Sequence, residues 1–142
     1  MKIHILAATA LVGIAGVAHA QNNANSSAQT GPQIDAVDAM IEGNRITNVT
    51  VEIDRPGYLV IHNDGVGAPP ASLGHIALTQ GRTGNISIEA DGPLDPASNL
   101  TLMLHYETND NQTYDFGPGS TDVDTPVMNG DAAVVVPVKP AM

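Results

Sequence analysis

The sequence predicts an all-β protein, an antiparallel sandwich of about seven strands of the immunoglobulin-like or cupredoxin-like kind. From residue 33 onward, Gly, Pro, Asn or Asp interrupts the chain every eight to twelve residues or so, which is typical of short strands joined by turns. Apolar and polar residues alternate along several of these segments, as they do in strands with one buried face. No segment repeats its apolar residues with the 3.6-residue period of a helix.

The alternation assigns a role to each strand. Val49, Val51 and Ile53 share one face of the second strand, so that strand should be half-buried. The third strand is apolar on both faces and should therefore be central. Residues 80–84 are expected to form a turn, and residues 108–131 a long Gly-, Pro- and Asp-rich connection. The predicted strands cover residues 34–41, 45–54, 58–63, 73–79, 85–90, 99–107 and 132–138. The sixth strand should bury Leu100, Leu102, Leu104 and Tyr106, and should turn Thr101, Met103, His105 and Glu107 to its other face.

The N-terminus has the pattern of a cleaved export signal. Lys2 is followed by an apolar run over residues 3–17 and by the small-x-small site Ala18-His19-Ala20. A membrane anchor is the alternative, but the run is shorter than the roughly 20 residues that a span needs. We therefore expect a signal peptide over residues 1–20, a disordered polar leader over 21–32 and one β-sandwich domain over 33–140, exported to the periplasm or the extracellular space. No later apolar stretch is long enough to predict membrane insertion after cleavage.

Composition excludes several classes of function. Fifteen acidic residues against five basic ones repel phosphate backbones, so we expect no nucleic-acid partner; solubility in salty surroundings explains the same charge without any partner. The chain has no cysteine, which excludes disulfides, iron–sulfur clusters, thiol catalysis and blue-copper chemistry. The remaining expectation is a protein or cell-envelope partner, and the sequence leaves the oligomeric state open.

The segment after the sixth strand has the spacing of a calcium loop. Side-chain oxygens recur at relative positions 1, 3, 5 and 9, and alternate side chains of a tight turn can converge on one ion. The predicted ligands are Glu107, Asn109, Asn111 and Asp115, with the backbone carbonyl of Thr113. Two ligand carboxylates imply weak binding, with a Kd of about 10⁻⁴–10⁻³ M.

Two positions depart from a calcium loop of the EF-hand kind. The sixth position needs a positive φ and holds Gln112 rather than Gly, and the twelfth holds Pro118 rather than Glu. The alternative interpretation is an ordinary connection in which Asn and Asp side chains bond their own backbone.

Copper binding is a second hypothesis. Met103 and His105 project from the same face of one strand, and a thioether beside an imidazole suits Cu(I). His62 and His75 lie on other strands, at distances from His105 that the sequence does not give. A surface histidine beside a space-filling methionine explains the pair without any metal.

The sequence offers no support for catalysis. Ser72 and Ser87 are candidate nucleophiles, but neither lies in a Gly-x-Ser-x-Gly elbow, and no phosphate-binding loop or dinucleotide motif is present. We therefore expect a non-catalytic binding or structural module, with an unrecognised hydrolase as a further alternative.

Several segments of the chain form a recognisable set: RPGYLVIH at 55–62, the strand around Gly74, LMLH at 102–105, ETNDN at 107–111 and YDF at 114–116. Together they resemble a domain-of-unknown-function family of secreted, acidic proteins from halophilic archaea and marine bacteria. It covers roughly residues 34–138 and implies an immunoglobulin-like or cupredoxin-like sandwich. The family has no settled activity, so the resemblance bears on fold rather than function. This chain departs from the family pattern at Glu107, where Asp is common, and at Gln112, where Gly is common.

Overall fold

The computed structural model describes residues 31–63 and 71–139. The predicted signal peptide and all but the last two residues of the predicted leader lie outside the described residues, as does the connection at 64–70. None of the described residues belongs to a helix that is long and apolar enough to cross a membrane.

Within the described ranges the protein consists of ten strands in two antiparallel sheets and one small hairpin. The first sheet centres on β3, which pairs with β6 on one side and with β1 and β2, at opposite ends, on the other. The second sheet has the order β10-β7-β4-β5, and β8 pairs with β9. The strands are β1 (Gln33–Asp35), β2 (Met40–Glu42), β3 (Arg45–Ile53), β4 (Gly57–Asn63), β5 (Ser72–Leu78), β6 (Gly81–Glu89), β7 (Leu100–Tyr106), β8 (Met128–Asn129), β9 (Ala132–Ala133) and β10 (Val135–Pro137).

The core lies between the two sheets and is built from aliphatic side chains, so the predicted all-β sandwich is confirmed. The alternation in β3 and β7 is also confirmed, and Tyr106 is partly buried against the core. The third predicted strand, now β4, is central in its sheet, as expected. The first sheet contributes Ile46, Val49, Val51, Ile53, Ile86 and Ile88, and the second contributes Leu59, Ile61, Leu78, Leu100, Leu102 and Leu104.

Three strand boundaries differ from prediction. The first predicted strand is two strands, because the Asp35 side chain accepts a hydrogen bond from the Val37 N–H and the chain turns before β2. The predicted turn at 80–84 is wrong, since Gly81 adopts a φ of 110° and already begins β6. The last predicted strand is interrupted between β9 and β10, and the long connection before it contains β8.

Gly57 allows β4 and β7 to approach closely at the end of the sheet that carries the site described below. A Cβ at this position would overlap the backbone of His105 and press on the Ile53 side chain. Only a residue without a side chain fits there, so Gly57 sets the distance between the two strands.

Candidate functional site

The outer face of the second sheet carries three histidines from three neighbouring strands. On this face Tyr58 lies opposite His105, and Val60 lies opposite both Met103 and His75. His62 lies two residues beyond Val60 on the same face of β4, opposite Thr101. These positions share a face because side chains alternate along a strand, so the sheet brings together residues that are far apart in sequence.

Residues 107–127, which we call the covering segment, pack over this face. The segment returns beside β7, where Thr125 accepts a hydrogen bond from the Tyr106 N–H and Val127 donates one to the carbonyl of Leu104. The Phe116 ring packs against the His105 ring at a tilt of 57°, with 4.7 Å between ring centroids. As a result His105 is fully buried and His62 is only 4% exposed. The surface histidine considered from the sequence is therefore not what the fold contains.

The two buried histidines face each other through their ring nitrogens. His62 Nε2 lies 3.4 Å from His105 Nε2, and the ring centroids are 5.6 Å apart. We call these two residues the histidine pair. His75 is exposed and lies outside the pair, with its ring against Tyr58 and Tyr114.

The other nitrogen of each ring determines the tautomer. The Nδ1–H of His105 donates to the backbone carbonyl of Asp124 at 2.6 Å, and the Nδ1–H of His62 donates to the carbonyl of Ala71 at 3.1 Å. A carbonyl oxygen only accepts, so each Nδ1 carries the hydrogen and each neutral ring has its lone pair on Nε2. The two Nε2 lone pairs therefore point into the same space, an arrangement that a shared cation stabilises.

Protonating His105 would also place a positive charge in this space, but it costs free energy because the ring is buried. Burial lowers the pKa of His105 to about 4; repulsion from His62 adds to the effect, and the hydrogen bond to the Asp124 carbonyl opposes it. The His105 ring is accordingly neutral at pH 7.

Tyr114, from the covering segment, packs against one member of the pair, His105. Its ring meets His105 edge-on at 5.2 Å and lies 5.0 Å from His75 and 5.4 Å from Tyr58. Its hydroxyl oxygen is buried and has no hydrogen-bond partner among the described residues. Burial, reinforced by the Asp124 carboxylate, raises the pKa of this phenol.

Asp124 connects the covering segment to the histidine pair. It is fully buried, and its left-handed backbone, with a φ of 44°, aims its carbonyl at His105. One carboxylate oxygen accepts the Thr108 N–H at 3.0 Å and the other accepts the Asp115 N–H at 2.8 Å. Asp124 thus holds both ends of the acidic loop and one histidine in a single arrangement.

The residues predicted to bind calcium lie in this same loop, and their oxygens accept hydrogen bonds from the protein. Glu107 accepts from the backbone N–H groups of Asn109 and Asp110 at 3.1 and 3.0 Å, and from the Tyr58 hydroxyl at 2.6 Å. The hydrogen bond from Tyr58 is the main reason that the pKa of Glu107 lies below its usual value.

Asp115 and Asn111 have a similar role in the loop. The Asp115 carboxylate accepts the side-chain amides of Asn111 at 2.6 Å and Asn109 at 3.1 Å, and these two bonds lower its pKa. Asn111 in turn accepts the Thr113 N–H at 2.8 Å. Gln112 adopts the positive φ expected of the sixth position, at 60°. These contacts are those of a self-bonded turn, and calcium binding stays a prediction.

No three His, Asp or Glu side chains in the described ranges are arranged to hold one metal ion. Of the other two histidines considered from the sequence, His62 lies beside the predicted copper ligand His105, whereas His75 lies outside the pair. Met103 and His105 do share a face, with Met103 at the position between His105 and His62 in the register. Sequence reasoning missed the partnership with His62 and Tyr114, because it depends on the adjacency of β4 and β7, although the matching alternation of the two strands was visible.

The candidate nucleophiles lie on different sheets. Ser72, in β5, accepts the backbone N–H of Gly74 at 3.1 Å, whereas Ser87 is exposed on β6. The two serines therefore do not form parts of one site.

Comparison with known proteins bears on the family alone. No curated protein and no solved structure matches this sequence. A family model described as "Domain of unknown function (DUF7282)" matches residues 32–139, which is most of the chain and includes every residue of the site. The protein therefore belongs to the DUF7282 family, in agreement with the resemblance to a domain-of-unknown-function family found in its sequence.

Proposed function

We propose that this protein is an exported, non-catalytic β-sandwich that binds a transition-metal ion, preferentially copper, between His62 and His105. The observation that supports the proposal is the pair of Nε2 atoms that face each other at 3.4 Å while both Nδ1 atoms donate to carbonyls. Histidines that bind metals usually donate their other ring N–H to a carbonyl or carboxylate in this way, which fixes the ring and its tautomer.

The separation of the two nitrogens suits a metal ion. With metal–nitrogen bonds of about 2.0–2.1 Å, two atoms 3.4 Å apart subtend about 110° at the ion, which is the tetrahedral angle. At that angle both rings would tilt on binding, because centroids 5.6 Å apart place the two imidazoles nearly head-on, with each Nε2 lone pair aimed at the other nitrogen.

The preference for copper follows from the ligands. Among the divalent first-row metals, copper binds imidazole nitrogen with the highest affinity, so copper should outcompete zinc for the same pair. Met103, between the two histidines on the same face, brings a thioether close to the site and would favour Cu(I) further. The chain has a formal net charge of −10, which attracts cations to its surface.

Competition against a chelator of known affinity tests this proposal. The purified protein should take up one copper ion, and His62→Ala should abolish tight uptake. His75→Ala is the matched control, because His75 belongs to the same aromatic cluster but is exposed and lies outside the pair. Equal copper uptake by His62→Ala and wild type, with circular dichroism showing both folded, would exclude the histidine pair as the site.

A further inference from the structure

The two imidazoles of the histidine pair point almost directly at each other. Their Nε2 atoms are 3.4 Å apart and their ring centroids 5.6 Å apart, so both nitrogens lie close to the line that joins the rings. The hydrogen bond from each Nδ1–H to a backbone carbonyl leaves the lone pair on Nε2 and keeps it aimed along that line. The pair therefore favours an ion that lies on the line between the two nitrogens.

Such an ion requires only a small separation of the rings. Two metal–nitrogen bonds of about 2.0 Å placed end to end span about 4.0 Å, so each ring has to move outward by about 0.3 Å from the present 3.4 Å contact. Atoms of a folded protein fluctuate by about 0.5 Å along each axis, so this shift costs little. An angle of about 110° at the ion requires instead that each lone pair turn by about 35°, which would disturb the hydrogen bonds at both Nδ1 atoms.

A linear arrangement with two ligands is characteristic of Cu⁺. Zn²⁺ takes four ligands in a tetrahedron, and Cu²⁺ takes a tetragonal set of nitrogen and oxygen ligands. No third His, Asp or Glu side chain in the described ranges is placed to complete either set. Cu⁺ is a soft ion of single charge and is stable with two nitrogen ligands in line, so the ligands that the fold supplies are sufficient for it alone.

The surroundings of the pair also favour the ion of lower charge. His105 is fully buried, Val60 is fully buried on the same face of β4 as His62, and the Phe116 ring packs against His105. The cost of burying an ion in such a medium grows as the square of its charge, so Cu²⁺ with two neutral ligands costs about four times as much as Cu⁺. Asp124 is the only buried carboxylate among the described residues, and it balances one positive charge rather than two.

We infer that the histidine pair is selective for reduced copper, Cu⁺, and holds it in line between the two Nε2 atoms with the imidazoles as its two ligands. This inference depends on the proposed function and specifies the oxidation state of the bound ion. Binding involves no redox step and no proton transfer, because copper enters as Cu⁺ and each Nε2 already carries a lone pair. The site then protects Cu⁺ from oxidation, since Cu²⁺ needs further ligands.

X-ray absorption spectroscopy of wild type loaded with Cu⁺ in the absence of oxygen tests the geometry. The copper edge should show the intense pre-edge feature of linear, two-coordinate Cu⁺, and the fine structure should show two nitrogen neighbours and no sulfur. Met103 lies on the same face of the sheet as the pair, so Met103→Leu is the informative variant. It should give the same spectrum as wild type, because the two imidazoles complete the coordination.

Paired chelator titrations test the oxidation state. Wild type should bind Cu⁺, measured against a Cu⁺-specific chelator with ascorbate present, at least about a hundredfold more tightly than Cu²⁺, which raises the reduction potential of the bound copper by about 120 mV. His75→Ala should keep this preference, because His75 is exposed and lies outside the pair.

The outcomes separate this inference from the proposed function. Equal affinities for Cu⁺ and Cu²⁺, or a spectrum with three or four neighbours, would overturn the inference and leave the histidine pair as a copper site. A sulfur neighbour that disappears in Met103→Leu would overturn it as well, by making the thioether a third ligand. Failure of wild type to bind copper in either oxidation state, or unchanged uptake by His62→Ala, would overturn the proposed function itself.

Discussion

The substitution Asp124→Asn should destabilise the fold more than its small change in shape suggests. The two carboxylate oxygens of Asp124 accept backbone N–H groups from Thr108 and Asp115, at 3.0 and 2.8 Å. An asparagine has only one accepting oxygen, so its NH₂ group would face one of these two donors. The substitution therefore removes one charge-assisted hydrogen bond and brings the new NH₂ group against a backbone N–H. Both are donors, and the position is fully buried, so water cannot replace the lost bond.

The magnitude follows from those contacts. One buried N–H is left without an acceptor, which costs about 1–3 kcal/mol, and the bond that remains loses its charge assistance, which costs about 1 kcal/mol, so we expect a loss of about 2–4 kcal/mol. For a domain of this size, that loss lowers the melting temperature by about 8–15 °C. Thermal unfolding followed by circular dichroism, with urea titration as a second measure of the free energy of unfolding, provides the assay.

Asp122→Asn is the matched control, because it removes the same charge from an exposed position in the same covering segment. It should change the melting temperature by no more than about 2 °C, as most surface substitutions do. If the two variants melt together, Asp124 does not hold the covering segment on the sheet, and the reasoning that joins the loop to the histidine pair is refuted.

Three further predictions concern the strand approach, the loop carboxylates and calcium. Gly57→Ala should prevent folding or lower the melting temperature by more than about 10 °C, since its Cβ would overlap the His105 backbone, whereas Gly92→Ala, with open space around it, should be nearly neutral; equal melting temperatures for the two would contradict the close approach. The lowered pKa values of Glu107 and Asp115 mean that these carboxylates stabilise the fold above their usual values of 4.5 and 3.8 and that the stabilisation is lost as the pH falls through the lowered values. Melting curves from pH 6 down to about pH 3 should therefore separate wild type from Glu107→Gln at the upper end and bring them together at the lower end. Finally, a calcium site with a Kd of about 10⁻⁴–10⁻³ M should raise the melting temperature in about 10 mM calcium, and Asp115→Ala should abolish the rise; no rise in wild type would exclude the site.

The local hydrogen bonding of the covering segment could be predicted from its sequence, but its packing on the sheet could not. Its self-bonding potential could be read from the Asn and Asp residues, and Gln112 has the positive φ that its position requires. Its docking on the sheet could not be predicted, because Tyr114 contacts Tyr58 and His75, which precede it by 56 and 39 residues. Phe116 contacts His105 in β7, and no local pattern records such contacts. The same limit hid the pairing of His62 with His105.

The alternation of apolar and polar residues predicted the buried faces of the strands but not the irregularities in their pairing. Alternation in residues 49–53 and 100–104 assigned the buried faces correctly, because period-two burial is a property of the strand itself. It did not predict that His105, on the opposite face of β7, is fully buried by the covering segment. It did not predict the irregularity at Asn48, whose φ of 60° shifts the register and brings both Ile46 and Val49 into the core. A bulge depends on how β3 pairs with β6, which is a tertiary choice.

The class of fold and the aliphatic residues of the core could therefore be predicted from the sequence, because they follow from residue type and local periodicity, and the family could be recognised from the motifs that the chain shares with it. Tertiary structure alone decided the candidate site. Only the pairing of β4 with β7 and the return of the covering segment through Asp124 bring His62, His105 and Tyr114 together, and side chains from separate strands meet at a distance that residue order does not specify. The feature most relevant to function, two imidazole lone pairs that share one buried space, is a product of that meeting.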